Sequence, residues 1–276
     1  MSILATTTII ADVVNTICGD IADVESLLPP GASPHSFEAI PNDVIKIAQA
    51  DIIFINGGGL ERSLDKLINK PDVKFKTISL SEKIDFLHTT NSEHSDAHDD
   101  DLIDPHVWMD PNNVIIWVNT IERILCAKDS AHCDHYKENA DIYRGKLKEL
   151  DIWITEQLKS INESNRKIVT DHRMLGYFGS HYGLEQAGTI VPGFSSLAEP
   201  SAREIAQLED EIKKLNIKAI LVGINMNQAL AERIAQDRSI KLIRFYTGSL
   251  SEKGGPADTY LKYMQFNTLA IVEALK

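Results

Sequence analysis

Histidine is the side chain whose placement in this sequence points to chemistry. His35 stands in Pro29-Pro30-Gly31-Ala32-Ser33-Pro34-His35, a turn-rich stretch ahead of a helix expected from Pro41. His106 stands in Asp104-Pro105-His106-Val107-Trp108-Met109-Asp110-Pro111, again between prolines and ahead of a helix. His172 follows Lys167-Ile168-Val169-Thr170-Asp171, at the carboxyl end of an expected strand. A lone loop histidine is usually a solvated residue. Three at constrained strand-to-helix junctions are different, because ligands of open α/β sheets bind beyond the carboxyl ends of strands. His35 and His106 are 71 residues apart, and His106 and His172 are 66 apart, so a shared site draws on separate strand–helix units. Neutral imidazoles gathered in this way are ligands for a divalent metal.

Carboxylates adjoin each histidine: Glu38, Asp104 with Asp110, and Asp171. A metal-bound imidazole usually donates its other N–H to such a group, which fixes the tautomer and raises basicity. Helix capping is the competing role, and it is strong for Asp110, which precedes Pro111.

Other chemistries have less support. Gly57-Gly58-Gly59 is followed by Leu60-Glu61, where a phosphate loop would offer Gly-Lys-Ser/Thr. There is no Gly-x-Ser-x-Gly elbow and no zinc-ribbon pair of cysteines. His132-Cys133-Asp134-His135 holds metal-capable side chains, but adjacent residues rarely converge on one ion. From His88 to Asp101 runs a polar segment with His88, His94, His98 and five carboxylates. It lacks the apolar residues needed to pack, so it reads as a loop, either an auxiliary metal-capture loop or simply a solvated acidic one.

Elements of an α/β fold must position these residues. Short β-branched runs recur at Ile52–Ile55, Val73–Leu80, Ile168–Thr170, Ile220–Val222 and Leu242–Tyr246, with a first strand expected from the amino terminus through Ile10. Helical patterns lie between them at Pro41–Ala50, Pro111–Ala127 and Ala202–Leu215, the alternation of mainly parallel sheets. From Tyr136 to Ile161 apolar residues step by three and four with no proline, which predicts one helix of about 26 residues and about 40 Å. Its mid-chain place suits a rigid connector between two lobes, with an ordinary long surface helix as the alternative. The expected division is residues 1–134, a connecting helix over 135–163, and residues 164–276.

The chain has 276 residues and a formal net charge of −12, which disfavours nucleic acid or an anionic membrane as main partner and is compatible with a cation. No run of about 18 apolar residues exists to span a bilayer. The start shows no charged n-region, h-region and cleavage site; a cytoplasmic protein and an exported one without its leader share that pattern. Cys126 and Cys133 could pair in an oxidising compartment and leave Cys18 free; three reduced thiols is the alternative.

The same residues resemble a known family, the zinc- and manganese-specific solute-binding proteins of ATP-binding-cassette importers (cluster A-I). The resemblance runs over nearly the whole chain. It is carried by Ile17-Cys-Gly-Asp20, Leu28-Pro-Pro-Gly-Ala-Ser-Pro-His35, Ala50-Asp-Ile-Ile-Phe-Ile-Asn-Gly57 with Leu60-Glu61, and Asp104-Pro-His-Val-Trp-Met-Asp-Pro111. Thr170-Asp-His172, Gly176-Tyr-Phe178, Tyr182-Gly-Leu184, Glu199-Pro-Ser-Ala202, Gly255-Pro-Ala-Asp-Thr-Tyr260 and Asn267 complete it.

It implies two lobes bridged by a long rigid helix, a metal between them on His35, His106 and His172, and no enzymatic activity. It also implies an extracytoplasmic setting, periplasm or outer cell surface, with an ABC permease as partner; a monomer is expected. The acidic loop is similar to that of the zinc branch. Two positions depart from the family. Gly248 stands where an aspartate ligand is usual, and Gly223 where another acid is common. Asp258 and Glu199 are then candidates to complete the site, with Asp104 and Asp171 as supporting acids. Three imidazoles without a thiolate favour Zn²⁺ over Mn²⁺. Weaker binding than in a four-ligand relative is expected, with Gly248→Asp expected to tighten it. The alternatives are a degenerate member acting as a surface adhesin and, further off, a zinc enzyme with three histidines and a water.

Overall fold

The computed structural model describes residues 1–88, 103–191, 193–194, 199–224 and 228–276. Its elements form two parallel four-stranded sheets. The first contains β1 (Ser2–Ala5), β2 (Asp23–Ser26), β3 (Ile52–Ile55) and β4 (Thr77–Ser79), in the order β2-β1-β3-β4. α1 (Thr8–Cys18), α2 (Pro41–Gln49) and the single turns α3 (Asp65–Ile68) and α4 (Pro71–Lys74) connect them. α5 (Pro111–Lys128) and α6 (Cys133–Leu158) follow. The second sheet contains β5 (Lys167–Thr170), β6 (Glu185–Thr189), β7 (Ala219–Gly223) and β8 (Lys241–Phe245), in the order β6-β5-β7-β8. Its helices are α7 (Gly176–Tyr182), α8 (Ala202–Lys214), α9 (Ala229–Arg238) and α10 (Tyr260–Leu275).

Both sheets are covered on two faces, which explains the apolar runs of their central strands β1, β3, β5 and β7. Successive side chains alternate between cores. Ile3, Ile52, Phe54, Ile168 and Leu221 face one large cluster shared by the two sheets with α1, α5, α6 and α10. Leu4 and Ile53 face a smaller cluster under α2, and Val169, Ile220 and Val222 face another under α8 and α9.

The long helix forms as its periodicity requires. α6 is 26 residues, with Tyr136, Ala140, Tyr143, Leu147, Leu150, Ile154 and Leu158 buried in the shared core. It starts and stops three residues earlier than expected, and Ile161 stays buried just beyond it. Cys126 and Cys133 are disulfide-bonded across the α5–α6 turn, and Cys18 is free and buried.

Two expectations are corrected. The first strand ends at Ala5, because Thr7 caps a helix there, its Oγ1 accepting from the Ile10 amide at 3.3 Å. Ile9, Ile10, Val13, Val14 and Ile17 are a buried helical stripe, not strand residues. Val73 belongs to α4, which Pro71 starts, so the strand there is confined to Thr77–Ser79.

Candidate metal centre

The three histidines converge. His35 lies in the turn after β2, His106 just before a 3-10 turn at Val107–Met109 that leads into α5, and His172 two residues beyond β5. The site therefore takes two residues from the side of the first sheet and one from the second. Ring centroids are 5.2 Å apart for His35–His106 and His106–His172, and 5.4 Å for His35–His172. One ligand atom from each lies within 4.8 Å of the others. His35 Nε2 and His106 Nε2 are 3.2 Å apart. Two nitrogens at about 2.05 Å from one tetrahedral zinc stand about 3.3 Å apart, so this spacing suits two ligands of a single ion.

Carboxylates orient two of the rings. Asp104 Oδ1 accepts from His106 Nδ1 at 2.8 Å and from the His106 amide at 3.0 Å. Asp171 Oδ1 accepts from His172 Nδ1 and from the His172 amide, both at 2.8 Å. With Nδ1 carrying the proton, each ring keeps its Nε2 lone pair for the centre of the site. The acids are themselves held. Gly223 N–H donates to Asp171 Oδ2 at 2.9 Å, and Tyr177 O–H donates to the Asp104 carbonyl at 3.0 Å.

Burial favours the neutral form of His35 and His106. The His35 pKa is pushed well below its ordinary value, first by desolvation and then by His106 and His172. Desolvation also lowers His106, while its hydrogen bond to Asp104 pulls the other way. Neutral rings are the metal-binding form.

The remaining candidates fall elsewhere. Asp258, considered for the fourth ligand, instead accepts from the Gly254 amide and pairs with Lys262 at 2.8 Å, outside the histidine cluster. That ion pair and amide bond leave Asp258 apart from the clustered ligand atoms of the three histidines. Glu199 is exposed and is not among the clustered ligand atoms. Glu38 is exposed too, and among the described residues no carboxylate partners the His35 ring. His88 is exposed, paired with Ile103 in an isolated antiparallel bridge; His94 and His98 lie outside the described residues.

The two glycines have distinct structural roles. Gly223 supplies its amide to Asp171. Gly248 packs on the residue before a candidate ligand: a Cβ there would stand 2.7 Å from Pro34 Cδ and 2.8 Å from Cγ. The Gly248 segment is fixed by its neighbours. Tyr263 O–H and Trp108 Nε1–H donate to the Thr247 carbonyl, and Ser249 Oγ accepts from the Gly31 amide.

Sequence reasoning passed over Tyr177. Its oxygen accepts from the Leu87 amide at 3.1 Å while its O–H donates to Asp104, so α7 of the second lobe grips the His106 loop of the first. Gly176 allows that approach, since a Cβ there would meet Asp104 Oδ2 at 2.3 Å. The Gly176-Tyr-Phe178 motif was the available signal. Phe194 also went unnoticed; its ring centroid is 6.4 Å from that of His106.

Residues 3–274 match the family model for the zinc-uptake complex component A, periplasmic (ZnuA). The manganese-binding lipoprotein MntA of Halalkalibacterium halodurans is 30% identical over 277 residues, covering 100% of this chain and 88% of that protein. The iron ABC transporter substrate-binding lipoprotein MtsA of Streptococcus pyogenes is 30% identical over 282 residues, covering 100% and 89%. Among solved structures, the periplasmic zinc-binding protein TroA of Treponema pallidum superposes with a TM-score of 0.89 at 25% identity, covering 99% of this chain and 98% of that one. A manganese-bound mutant of a periplasmic metal-binding protein from Candidatus Liberibacter asiaticus gives 0.87 at 25% identity, covering 100% and 99%. The fold, the two lobes and the match over nearly the whole length agree. This chain belongs to the ZnuA family, the metal-binding substrate receptors of ABC transporters, and is a binding protein and not an enzyme.

Proposed function

We propose that this receptor binds Zn²⁺ in preference to Mn²⁺ or Fe²⁺ on His35, His106 and His172, and hands it to an ABC permease. The observation that carries the reading is the donor set. Three imidazole nitrogens share one centre, and no carboxylate oxygen is grouped with them among the described residues. Zinc takes nitrogen donors in a four-coordinate shell, whereas manganese favours more oxygen. Asp104 and Asp171 do not join that donor set; they hydrogen-bond the far sides of the rings and offset part of the ion's charge from there. A water or small anion completes the tetrahedron. The names of the relatives span manganese, iron and zinc, so the preference rests on this chain's own donors.

The receptor acts as a monomer in this proposal, and capture from outside the cytoplasm fits the periplasmic and lipoprotein descriptions of the relatives. It also fits a disulfide between Cys126 and Cys133. No helix among the described residues is long and apolar enough to cross a membrane.

The test is a competition titration of chelator-stripped protein with zinc and manganese, beside His106→Ala. One tight zinc equivalent that manganese fails to displace and that His106→Ala abolishes supports the reading. Manganese binding as tight as zinc would overturn the preference. Weak binding of every ion with the fold intact would favour a degenerate member retained as a surface binding module.

A further inference from the structure

The stretch from Asn56 to Glu61 follows β3 and places two polar side chains deep in the first lobe. Asn56 is 0% exposed and Glu61 5%. The Glu61 carboxylate ties together the ends of the two central strands. Its Oε1 accepts from Thr6 O–H, just after β1, at 2.8 Å and from the Asn56 amide, just after β3, at 2.7 Å. Its Oε2 accepts from the Gly57 amide at 3.1 Å. Desolvation raises the Glu61 pKa, and these donors oppose it by favouring the charged form. The Asn56 backbone is held on its other side too, where its carbonyl accepts from the Ser81 amide at 3.1 Å.

From that anchor the Asn56 side chain reaches the turn of a candidate ligand. Nδ2 donates to the Pro105 carbonyl at 2.9 Å and to the Gly57 carbonyl at 2.7 Å. The Pro105 carbonyl also accepts from the Val107 amide at 2.9 Å, closing a three-residue turn with His106 at its centre. His106 has φ −82° and ψ 45°, near the inverse γ-turn. Asn56 therefore grips the carbonyl that sets the His106 backbone, while Asp104 orients the His106 ring. We propose that Asn56, anchored by Glu61, is a positioning residue for metal binding that fixes the turn presenting His106 Nε2 to the ion. This deepens the three-histidine reading and rests on His106 being a ligand.

Packing alone does not account for the amide. Two carbonyls face Nδ2, which fixes which end of the amide points at Pro105. Oδ1 is then buried with no hydrogen-bond partner among the described residues. A leucine of similar shape would fill the same space without leaving a buried acceptor unpaired. Asn56 is kept at that cost for its donors, and the donor beyond its own loop goes to the His106 turn. Without it the Pro105–His106 peptide is free to rotate, and any rotation carries the imidazole with it.

The test compares full-length, chelator-stripped Asn56→Leu with wild type and His106→Ala. Three measurements are made: zinc titration, visible absorption of the cobalt-saturated protein, and denaturant unfolding without metal. Asn56→Leu should fold and bind zinc about tenfold or more weakly. Its cobalt spectrum should differ from wild type, because that absorption reports the geometry of the ligands and not the stability of the chain. Zinc affinity within a factor of two of wild type would overturn the proposal. So would weaker binding with a wild-type cobalt spectrum, which would assign Asn56 to stability alone. If Asn56→Leu does not fold, Asn56→Ala removes the same donors without filling the space and is read by the same outcomes. Wild-type binding in His106→Ala would overturn the three-histidine site and this proposal together. Loss of binding in His106→Ala with none in Asn56→Leu would overturn this proposal alone.

Discussion

Gly248 packs directly against Pro34, the residue before His35. A Cβ at position 248 would lie 2.7 Å from the proline ring, closer than real Cβ atoms approach a neighbour. The glycine is therefore required by the position of the His35 turn. Adding an aspartate to an otherwise intact site was expected to tighten zinc binding, and this contact reverses that expectation. Gly248→Asp must displace Pro34 and with it His35. We expect a loss of about 1–3 kcal/mol of stability, the usual cost of overpacking, and weaker zinc binding. Thermal unfolding and a zinc titration of the variant check this; tighter binding with an unchanged melting temperature would show that Pro34 yields freely.

Asp171 links two parts of the second lobe to one ligand. Its Oδ1 takes the His172 ring and amide, and its Oδ2 takes the Gly223 amide from β7. Removing the carboxylate frees the ring to rotate and leaves the Gly223 N–H, a buried donor, without this partner. Asp171→Ala should weaken zinc binding by about 10- to 100-fold, the usual cost of losing a carboxylate behind a metal-bound histidine. A Kd unchanged from wild type would mean that packing alone orients His172.

The pH response follows from the lowered pKa values of His35 and His106. Protons compete with metal only once the free site begins to protonate, and burial delays that below the ordinary histidine value of about 6.5. Zinc affinity should hold from pH 7.5 to about 6.5 and fall at lower pH. The metal-free protein should lose stability in the same direction. Between the unfolded and the lowered folded pKa, the unfolded chain binds more protons, so stability falls as pH drops through that window. Titrations at pH 7.5, 6.5 and 5.5, with apo melting temperatures at each, test both. A tenfold loss of affinity already between 7.5 and 6.5 would contradict neutral, buried rings.

Much of the candidate site was legible because its signals are local. Each histidine stood at a turn, and Asp104 and Asp171 are two and one residues from the rings they orient. The α6 helix was legible from its unbroken apolar steps. What failed depended on distant contacts. Nothing near Gly248 in sequence reveals Pro34, more than two hundred residues away, as its neighbour. β2 and β6 went unread because they are edge strands, half exposed and without a run of β-branched residues. The stripe at Ile9 and Ile10 has a local cause instead: Thr7 is an N-cap residue three positions before the amide it accepts, a signal masked by the run of β-branched residues around it.

The disulfide offers a test in which stability and binding separate. Cys126 lies in the last turn of α5 and Cys133 at the first residue of α6, so the bond closes the short connection between two helices. α5 and α6 are the most extensively packed helix pair of the fold, through buried Trp117, Ile121, Leu125, Tyr136 and Tyr143. In the chain-entropy account a closed loop of about eight residues stabilises by about 2.5 kcal/mol. Cys126→Ser with Cys133→Ser should cost about that much in denaturant unfolding. Zinc affinity should stay within a factor of two, because no ligand or orienting acid lies in this connection. A loss of affinity alongside the loss of stability would instead show that the α5–α6 turn helps set the position of His106 at the far end of α5.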